Sequence, residues 1–346
     1  MVIPGVFLLL SWIQGVQSPL TFPSEGTVVS IDVFVTDRQG RPVGDLQRSD
    51  FQVIEDDRTQ AVTSFRVVGS SAGKDEETHG SALGDRRGAL PTSSRRALVL
   101  VVDDLHLTAA QGARVQSAVR AFVDTPVTHG DSITLVAPGA RIWSNDVLPE
   151  GRERLLAASA TVTGRWGRSG PLLGLELRAM RSMIVDALDS ALMSLDGARA
   201  QKAVFLVSRG FSYLTRDQDA RPDYERLVRL SHRVNAPLYF LDVRGLESIE
   251  SNPPQPMDGV SRPDSSFWRV DRTSFMDGLA LDTGGLSIRN ANDFSKPIAR
   301  ILEGSEQYYE MGYISDRPPR PGEFRRITIK LNRRGLWVRT RRGYYG

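Results

Sequence analysis

Two adjacent carboxylates could take part in binding or catalysis, because they directly follow a continuous apolar segment. Residues 97–102 are all apolar, and Asp103 and Asp104 come immediately after them. Phosphatases with an aspartyl nucleophile usually carry two aspartates separated by one other residue, and this Asp-x-Asp spacing is absent here. No serine–histidine–aspartate set emerges from the sequence either. The pattern therefore favours a non-catalytic protein.

Other common metal and phosphate sites find little support in the sequence. The chain has no cysteine, which excludes disulfides and thiolate zinc sites. The histidines show no metal-ligand spacing; only His106 lies near the two acids, and a neutral polar role is expected for it. The glycine-rich residues 164–170 lack the Gly-Lys-Ser/Thr ending of a phosphate-binding loop, which predicts a flexible surface loop.

Charge and length narrow the class of protein further. The 346 residues are enough for two domains of ordinary size. The net charge is only +3, and the arginines are spread along the chain among acidic residues. A nucleic-acid-binding protein would gather them on one face, so no nucleic-acid partner is expected.

The N-terminus predicts export. Residues 6–13 form an apolar run that is too short to cross a bilayer as an ordinary helix. It suits the core of a signal peptide over residues 1–18, although no Lys or Arg precedes it. We expect a secreted, periplasmic or cell-envelope protein that is not transmembrane, because no other segment approaches the length of a membrane span.

The two ends of the chain both have the two-residue alternation of β-strands. Val29, Ile31, Val33 and Val35 alternate with other residues in the N-terminal β segment 27–69, and similar strands follow in the C-terminal segment 305–346. Each set is too small to bury a stable core alone, so the two are expected to pack together. Residues 70–94, rich in serine, glycine and charge, predict a flexible linker.

Residues 95–304 have a different pattern of apolar and polar residues. Apolar runs at 97–102, 133–136, 203–207 and 237–243 alternate with amphipathic segments, one of which can be capped by Thr108. Strands that are apolar on both faces are typical of a parallel sheet covered by helices on both sides. The pattern predicts an α/β fold with a doubly wound, mostly parallel sheet, whose ligands bind at the carboxyl ends of the strands.

The order of these segments resembles the von Willebrand factor A-related family of secreted, acidobacterial-type proteins. The similar stretches are 33–37, 40–43, 46, 50–55, 98–104, 202–208, 281–285, 308–309, 312–313 and 341–345. They cover almost the whole mature chain in the right order. The resemblance implies a von Willebrand A-like domain with a small β-sandwich-like domain made from the two terminal segments, and it implies no defined activity.

Many von Willebrand A domains bind a divalent cation through Asp-x-Ser-x-Ser, a later threonine and an aspartate after the fourth strand. Asp103 stands at the first position, but Leu105 and Leu107 stand at the serine positions. A shift by one residue gives Asp104, His106 and Thr108, which is still a poor match. The resemblance therefore implies a degenerate cation site, because hard cations require oxygen ligands.

The later ligand positions are also altered. Ser182 could take the role of the threonine, so the ligands of any residual cation would be Asp103, Asp104, Thr108 and Ser182. Arg209, after Ser208, replaces the acidic residue, and its fixed charge would repel a divalent cation. We expect neither a bound cation nor another cofactor, and we expect an ion pair between Asp103 and Arg209 instead.

Three functions remain open. The preferred one is an adhesion-type module that binds an unidentified protein partner through a rim that also includes residues 164–170 and the turn 209–213. The site residues of this predicted rim are Asp103, Asp104, His106, Thr108, Ser182, Ser208 and Arg209. The alternatives are a hydrolase that uses the acids of the rim and a structural assembly subunit; converging titratable groups in a pocket would favour the hydrolase.

Overall fold

A computed structural model describes residues 27–69, 95–164, 173–198, 200–211, 220–245, 274–317 and 320–346. The predicted signal peptide 1–18, the predicted linker 70–94 and the proline-rich residues 252–263 lie outside these ranges. The strands are β1 Val28–Thr36, β2 Phe51–Glu55, β3 Arg58–Gln60, β4 Val62–Val68, β5 Arg96–Val102, β6 Ser132–Ala137, β7 Ile142–Val147, β8 Gln201–Ser208, β9 Leu238–Asp242, β10 Ser287–Ile288, β11 Tyr308–Ile314, β12 Phe324–Leu331, β13 Trp337–Arg339 and β14 Gly343–Tyr345. The helices are α1 Gly112–Val123, α2 Arg152–Ala160, α3 Leu173–Ser194, α4 Ala220–Val234, α5 Ser274–Asp282 and α6 Ser295–Gly304.

The central sheet has six strands in the order β10-β9-β8-β5-β6-β7. All neighbours are parallel except β6 and β7, which form an antiparallel pair at one edge. Every residue of β5 is buried, as its continuous apolar sequence predicts for a strand in the middle of a covered sheet. The chain is therefore a mixed α/β protein with a mostly parallel sheet.

Alternate residues of β5 enter two separate hydrophobic layers. Leu98, Leu100 and Val102 belong to a core that also contains residues of α1, α2 and α6. Val99 and Val101, with Ala97, belong to a second core with residues of α3, α4 and α5. Burial of each such aliphatic side chain stabilises the fold by about 1.5–3 kcal/mol, so this strand anchors both helical layers.

The terminal segments interleave in two antiparallel sheets, ordered β13-β1-β11-β4 and β14-β12-β2-β3. N-terminal β1 lies between C-terminal β11 and β13, and N-terminal β2 pairs with C-terminal β12. Their shared core includes Ile31, Val33, Val53, Tyr309 and Tyr313. The small size of each segment explains this arrangement, because neither could enclose these side chains alone.

Several element boundaries differ from the sequence-based expectation. No apolar run in the sequence indicates β7, which runs from Ile142 to Val147 and forms an antiparallel hairpin with β6. Arg141, in the turn, has a φ of 56°. Two short strands, β3 and β14, had no clear alternation in the sequence. Among the helices that the structure describes, none has the length and apolar character needed to cross a membrane.

The side chain of Arg339 in β13 joins the terminal sheets to the central sheet. Its guanidinium donates hydrogen bonds to the hydroxyl of Tyr239 at 2.7 Å and to the carbonyl of Gly284 at 2.7 Å. It also donates to the hydroxyl of Ser305 at 3.0 Å, and its central carbon lies 4.0 Å from the ring centre of Phe34. One cation thus contacts β1, β9, the loop after α5 and the end of α6, which fixes their relative positions.

A small cavity beside this junction contains a histidine that is held neutral. His232, Asp32 and Arg341 are among its lining residues. Nε2 of His232 lies 3.1 Å from the carbonyl oxygen of Asp282, so it donates a hydrogen bond there. Burial, and secondarily the nearby Arg341 cation, lower the pKa of His232 to about 3.

This histidine predicts a loss of stability in acid. The unfolded chain binds a proton near pH 6.5, whereas the folded chain does so only near pH 3. Its contribution to stability is therefore full above pH 6.5 and is lost as the pH falls from 6.5 to 3, by at most about 1.4 kcal/mol per pH unit. Urea unfolding at pH 7.5 and pH 5.0 should show a smaller acid loss for His232→Gln than for the unmodified chain.

The comparison isolates His232 because the other titrating groups are present in both proteins. Burial raises the pKa of Asp32 in the same cavity. Protonation of this carboxyl therefore increases the stability of the folded chain in acid, opposite to the effect of His232. An equal acid loss in the two proteins would show that His232 is not held neutral in the folded state.

Candidate functional site

The pairing of β5 with β8 fixes the centre of the candidate site. The two parallel strands are in register up to Val102 opposite Val207. The backbone N–H of Asp103 continues this ladder and donates to the carbonyl of Val207 at 3.0 Å. Asp103 and Ser208 therefore leave the same edge of the sheet side by side.

The carboxylate of Asp103 is fully buried and accepts hydrogen bonds on both oxygens. Ser208 Oγ donates to Oδ2 at 2.6 Å, and the backbone N–H of His106 donates to Oδ1 at 3.1 Å. His106 Nδ1 lies 2.8 Å from the same Oδ1. Because a carboxylate oxygen only accepts, this geometry places a proton on Nδ1 of His106.

Asp104 stabilises the turn between β6 and β7. Its two oxygens accept the backbone N–H groups of Gly139 at 2.9 Å and Ala140 at 2.6 Å, and the side chain is fully buried. A Cβ atom on Gly139 would lie 2.8 Å from the Asp104 carboxylate, so only glycine allows this close approach. Both acids of the predicted rim are therefore bonded within the chain.

The two leucines at the serine positions of the cation motif point into the hydrophobic cores. Leu105 is 4% exposed and Leu107 is 0% exposed, and they belong to opposite core layers. Thr108 precedes a short helical turn at Ala109–Gln111, and its backbone N–H donates a capping hydrogen bond to Gln111 Oε1 at 2.9 Å. The segment after β5 is thus held by packing and capping.

Ser182 does not face the acids, contrary to the expectation that it could replace the motif's threonine. It lies on the exposed side of α3, whereas Ile184, Val185 and Leu188 of the same helix are buried. The helical period explains the difference, because each residue turns the helix by about 100° and places Ile184 and Leu188 on the side opposite Ser182.

The expected ion pair between Asp103 and Arg209 is also wrong. In the part of the chain that the structure describes, the carboxylate of Asp103 is bonded to Ser208 and His106 rather than to Arg209. Ser208 reaches the carboxylate, and the next side chain along the strand leaves in another direction. Arg209 remains partly buried at the same edge, next to Gly210, whose N–H donates to Ser208 Oγ at 2.9 Å.

Sequence reasoning missed Asp242, which ends the neighbouring strand β9. It is 3% exposed and forms an ion pair with Arg244 at 2.6 Å. The next residue, Val243, donates its N–H to the carbonyl of Ser208 at 3.1 Å and accepts from Arg114 Nη1 at 3.0 Å. An acid at the end of a buried apolar run, as at Asp103, was the available signal for this residue.

Two arrangements that a metal site or a serine hydrolase would use are absent among the described residues. Within the described ranges, no group of three or more histidine, cysteine, aspartate or glutamate side chains could hold a metal ion. The hydroxyl of Ser208 donates to Asp103 rather than to His106, so the three residues do not form the nucleophile–base contact of a hydrolase. Of the predicted loop 164–170 and turn 209–213, residues 165–170 and 212–213 lie outside the described residues.

Comparison with known proteins gives no assignment. No family model matches the chain, and no curated protein matches it. One similar solved structure is an aerotolerance-related membrane protein from Bacteroides fragilis, with 12% identity and a TM-score of 0.38. The match covers 60% of this chain and 98% of that chain. A likeness this weak supports no conclusion about either fold or function.

The buried hydrogen bonds of Asp103 predict its effect on stability. Asp103→Ala should lower the free energy of unfolding by about 3 kcal/mol, because it leaves buried donors of Ser208 and His106 unsatisfied. Ser208→Ala should cost about 1–3 kcal/mol. The matched control is Asp186→Ala, which removes an exposed carboxylate on α3 and should change stability by less than about 0.5 kcal/mol. Urea denaturation measures all three, and equal effects of Asp103→Ala and Asp186→Ala would contradict the prediction.

Proposed function

We propose that this chain is a non-catalytic protein-binding module with a von Willebrand A-like domain. Its partner would contact the rim at the carboxyl ends of β5, β8 and β9. The observation that carries the proposal is that Asp103, Asp104 and Asp242 are all buried and bonded within the chain. Such a rim is rigid before binding, while its acids are already engaged and poorly suited to act as bases.

The strand order supports the domain part of the proposal. The first strand of the unit, β5, lies in the middle of the sheet, and the chain moves outward to β7 on one side and to β10 on the other. This is a doubly wound arrangement, in which ligands bind outside the carboxyl ends of the strands. The sequence resemblance described above suggests the same type of domain.

The burial of Leu105 and Leu107 supports the loss of cation binding. Restoring hydroxyls there would remove two buried hydrocarbon side chains from the cores. With two ligand positions occupied by hydrocarbon and Asp103 engaged by Ser208 and His106, a divalent cation would keep mostly water ligands and bind weakly. Export to the cell envelope rests on the sequence of residues 1–18 alone.

The first test is calorimetric titration of the purified chain with magnesium, manganese and calcium. We expect no micromolar binding, and we expect the same melting temperature with and without a chelator. Micromolar affinity for any of the three ions, or a fall of the melting temperature on chelation, would show that the cation site is intact.

The second test asks whether the rim binds a protein. Chemical crosslinking in the native envelope fraction should give a defined adduct that Thr108→Lys and Arg209→Glu at the rim both abolish. The control, Arg334→Glu, reverses an exposed charge on the turn between β12 and β13, away from the rim, and should leave the adduct intact. Adducts that survive both rim variants would refute the proposed surface. Turnover of ester or phosphate substrates that the rim variants abolish would instead favour the hydrolase.

A further inference from the structure

The terminal sheets carry an open groove that is separate from the rim. Its volume is about 510 Å³. It lies where β2 and β3 meet the start of β4 and the short turn before β2. The residues that line it are Gln47, Arg48, Ser49, Phe51, Gln52, Thr59, Gln60 and Val62.

The groove combines an apolar floor with walls of mostly uncharged polar groups. Phe51 and Val62 are each 7% exposed and form part of the core below it. The exposed walls carry amides and hydroxyls, and Gln52 Nε2 donates to Thr59 Oγ1 at 3.1 Å. This bond leaves the Gln52 carbonyl oxygen able to accept from a ligand. The walls thus offer both donors and acceptors along one surface.

One of these amides is deeply placed and makes no hydrogen bond within the described chain. Gln60 is only 6% exposed, and its backbone position in β3 is fixed by pairing with Val53. Its side-chain amide has no hydrogen-bond partner among the described residues. Neither of its amide atoms is both buried and unbonded, so both reach solvent in the groove, where a ligand would replace water as their hydrogen-bond partner.

The charge of the lining has one sign. Arg48 is the single charged residue among the described residues of the lining. It is exposed and forms no ion pair with any described residue. A guanidinium binds a carboxylate through two parallel hydrogen bonds, which makes it a selective partner for one acidic group on a ligand.

We propose that this groove binds an oligosaccharide that carries a carboxylate, such as a chain of uronic acid units. The sugar hydroxyls both donate and accept, as the wall amides and hydroxyls do. The C–H face of a sugar ring matches the floor formed by Phe51 and Val62, and the carboxylate matches Arg48. An extended peptide fits less well, because a peptide that adds a strand needs a run of free backbone and edge strand β3 has only three residues.

The test is calorimetric titration of the full chain with tetragalacturonate, cellotetraose and a hexaglutamate peptide. Tetragalacturonate should bind with a dissociation constant in the millimolar range or tighter and should bind more tightly than the other two probes. Arg48→Gln should weaken it about tenfold, which corresponds to the loss of a charged hydrogen-bonded contact. The matched control is Arg58→Gln, which removes an exposed arginine of β3 that does not line the groove and should leave affinity unchanged.

A second variant tests the amide contribution. Gln60→Leu should weaken tetragalacturonate with little change in side-chain volume, and Gln52→Ala at an exposed position provides the same test if Gln60→Leu does not fold. Absence of millimolar tetragalacturonate binding, tighter binding of cellotetraose or hexaglutamate, or an equal loss in Arg58→Gln would overturn the proposal. The rim variants Thr108→Lys and Arg209→Glu should bind tetragalacturonate as tightly as the unmodified chain. This separates the test of the groove from the test of the rim.

Discussion

The parallel pairing of β5 with β8 is the constraint on which the candidate site depends. It holds Val102 opposite Val207, so the two residues that follow, Asp103 and Ser208, are brought within hydrogen-bonding distance at the end of a buried ladder. The surrounding hydrophobic layers fix both strands from either side, and the carboxylate then orients the ring of His106. Packing in the cores therefore also determines the hydrogen bonds at the sheet edge. A shift of register between β5 and β8 would separate Asp103 from Ser208.

A second constraint arises from the terminal strands, since two small β segments become stable only by sharing a core. Their sheets are then joined to the α/β unit by polar contacts, with Arg339 at the centre. A guanidinium suits this place because its planar fork can serve several acceptors while its face contacts the ring of Phe34. Through Arg339, Tyr239 of β9, the strand that ends at Asp242, is joined to Phe34 of β1.

The sequence predicted the elements whose burial produces an apolar pattern. It did not predict contacts that depend on the direction of a single side chain. The apolar runs at β5, β8 and β9 predicted a covered sheet, and the alternation at Val29 to Val35 predicted β1. The predicted partner of Asp103, Arg209, was wrong. The sequence places Ser208 and Arg209 equally close to the strand end, and only the direction of the backbone decides which side chain reaches the carboxylate. The prediction for Ser182 was wrong for a similar reason, because the direction of its side chain depends on how α3 is rotated about its axis. The groove at Gln60 had no signal, because its residues come from separate segments that meet only in the folded sandwich.

The insertion of the α/β unit between β4 and β11 has a mechanical consequence. These two strands are neighbours, and Val68, at the exit, is paired with Tyr308, at the return. A force that pulls the inserted unit away from the terminal sheets therefore acts on one end of this ladder and opens its hydrogen bonds in sequence, as in unzipping. Tension along the strands would instead load all of those bonds together. The resistance of the protein to traction should thus depend on the direction from which a bound partner pulls.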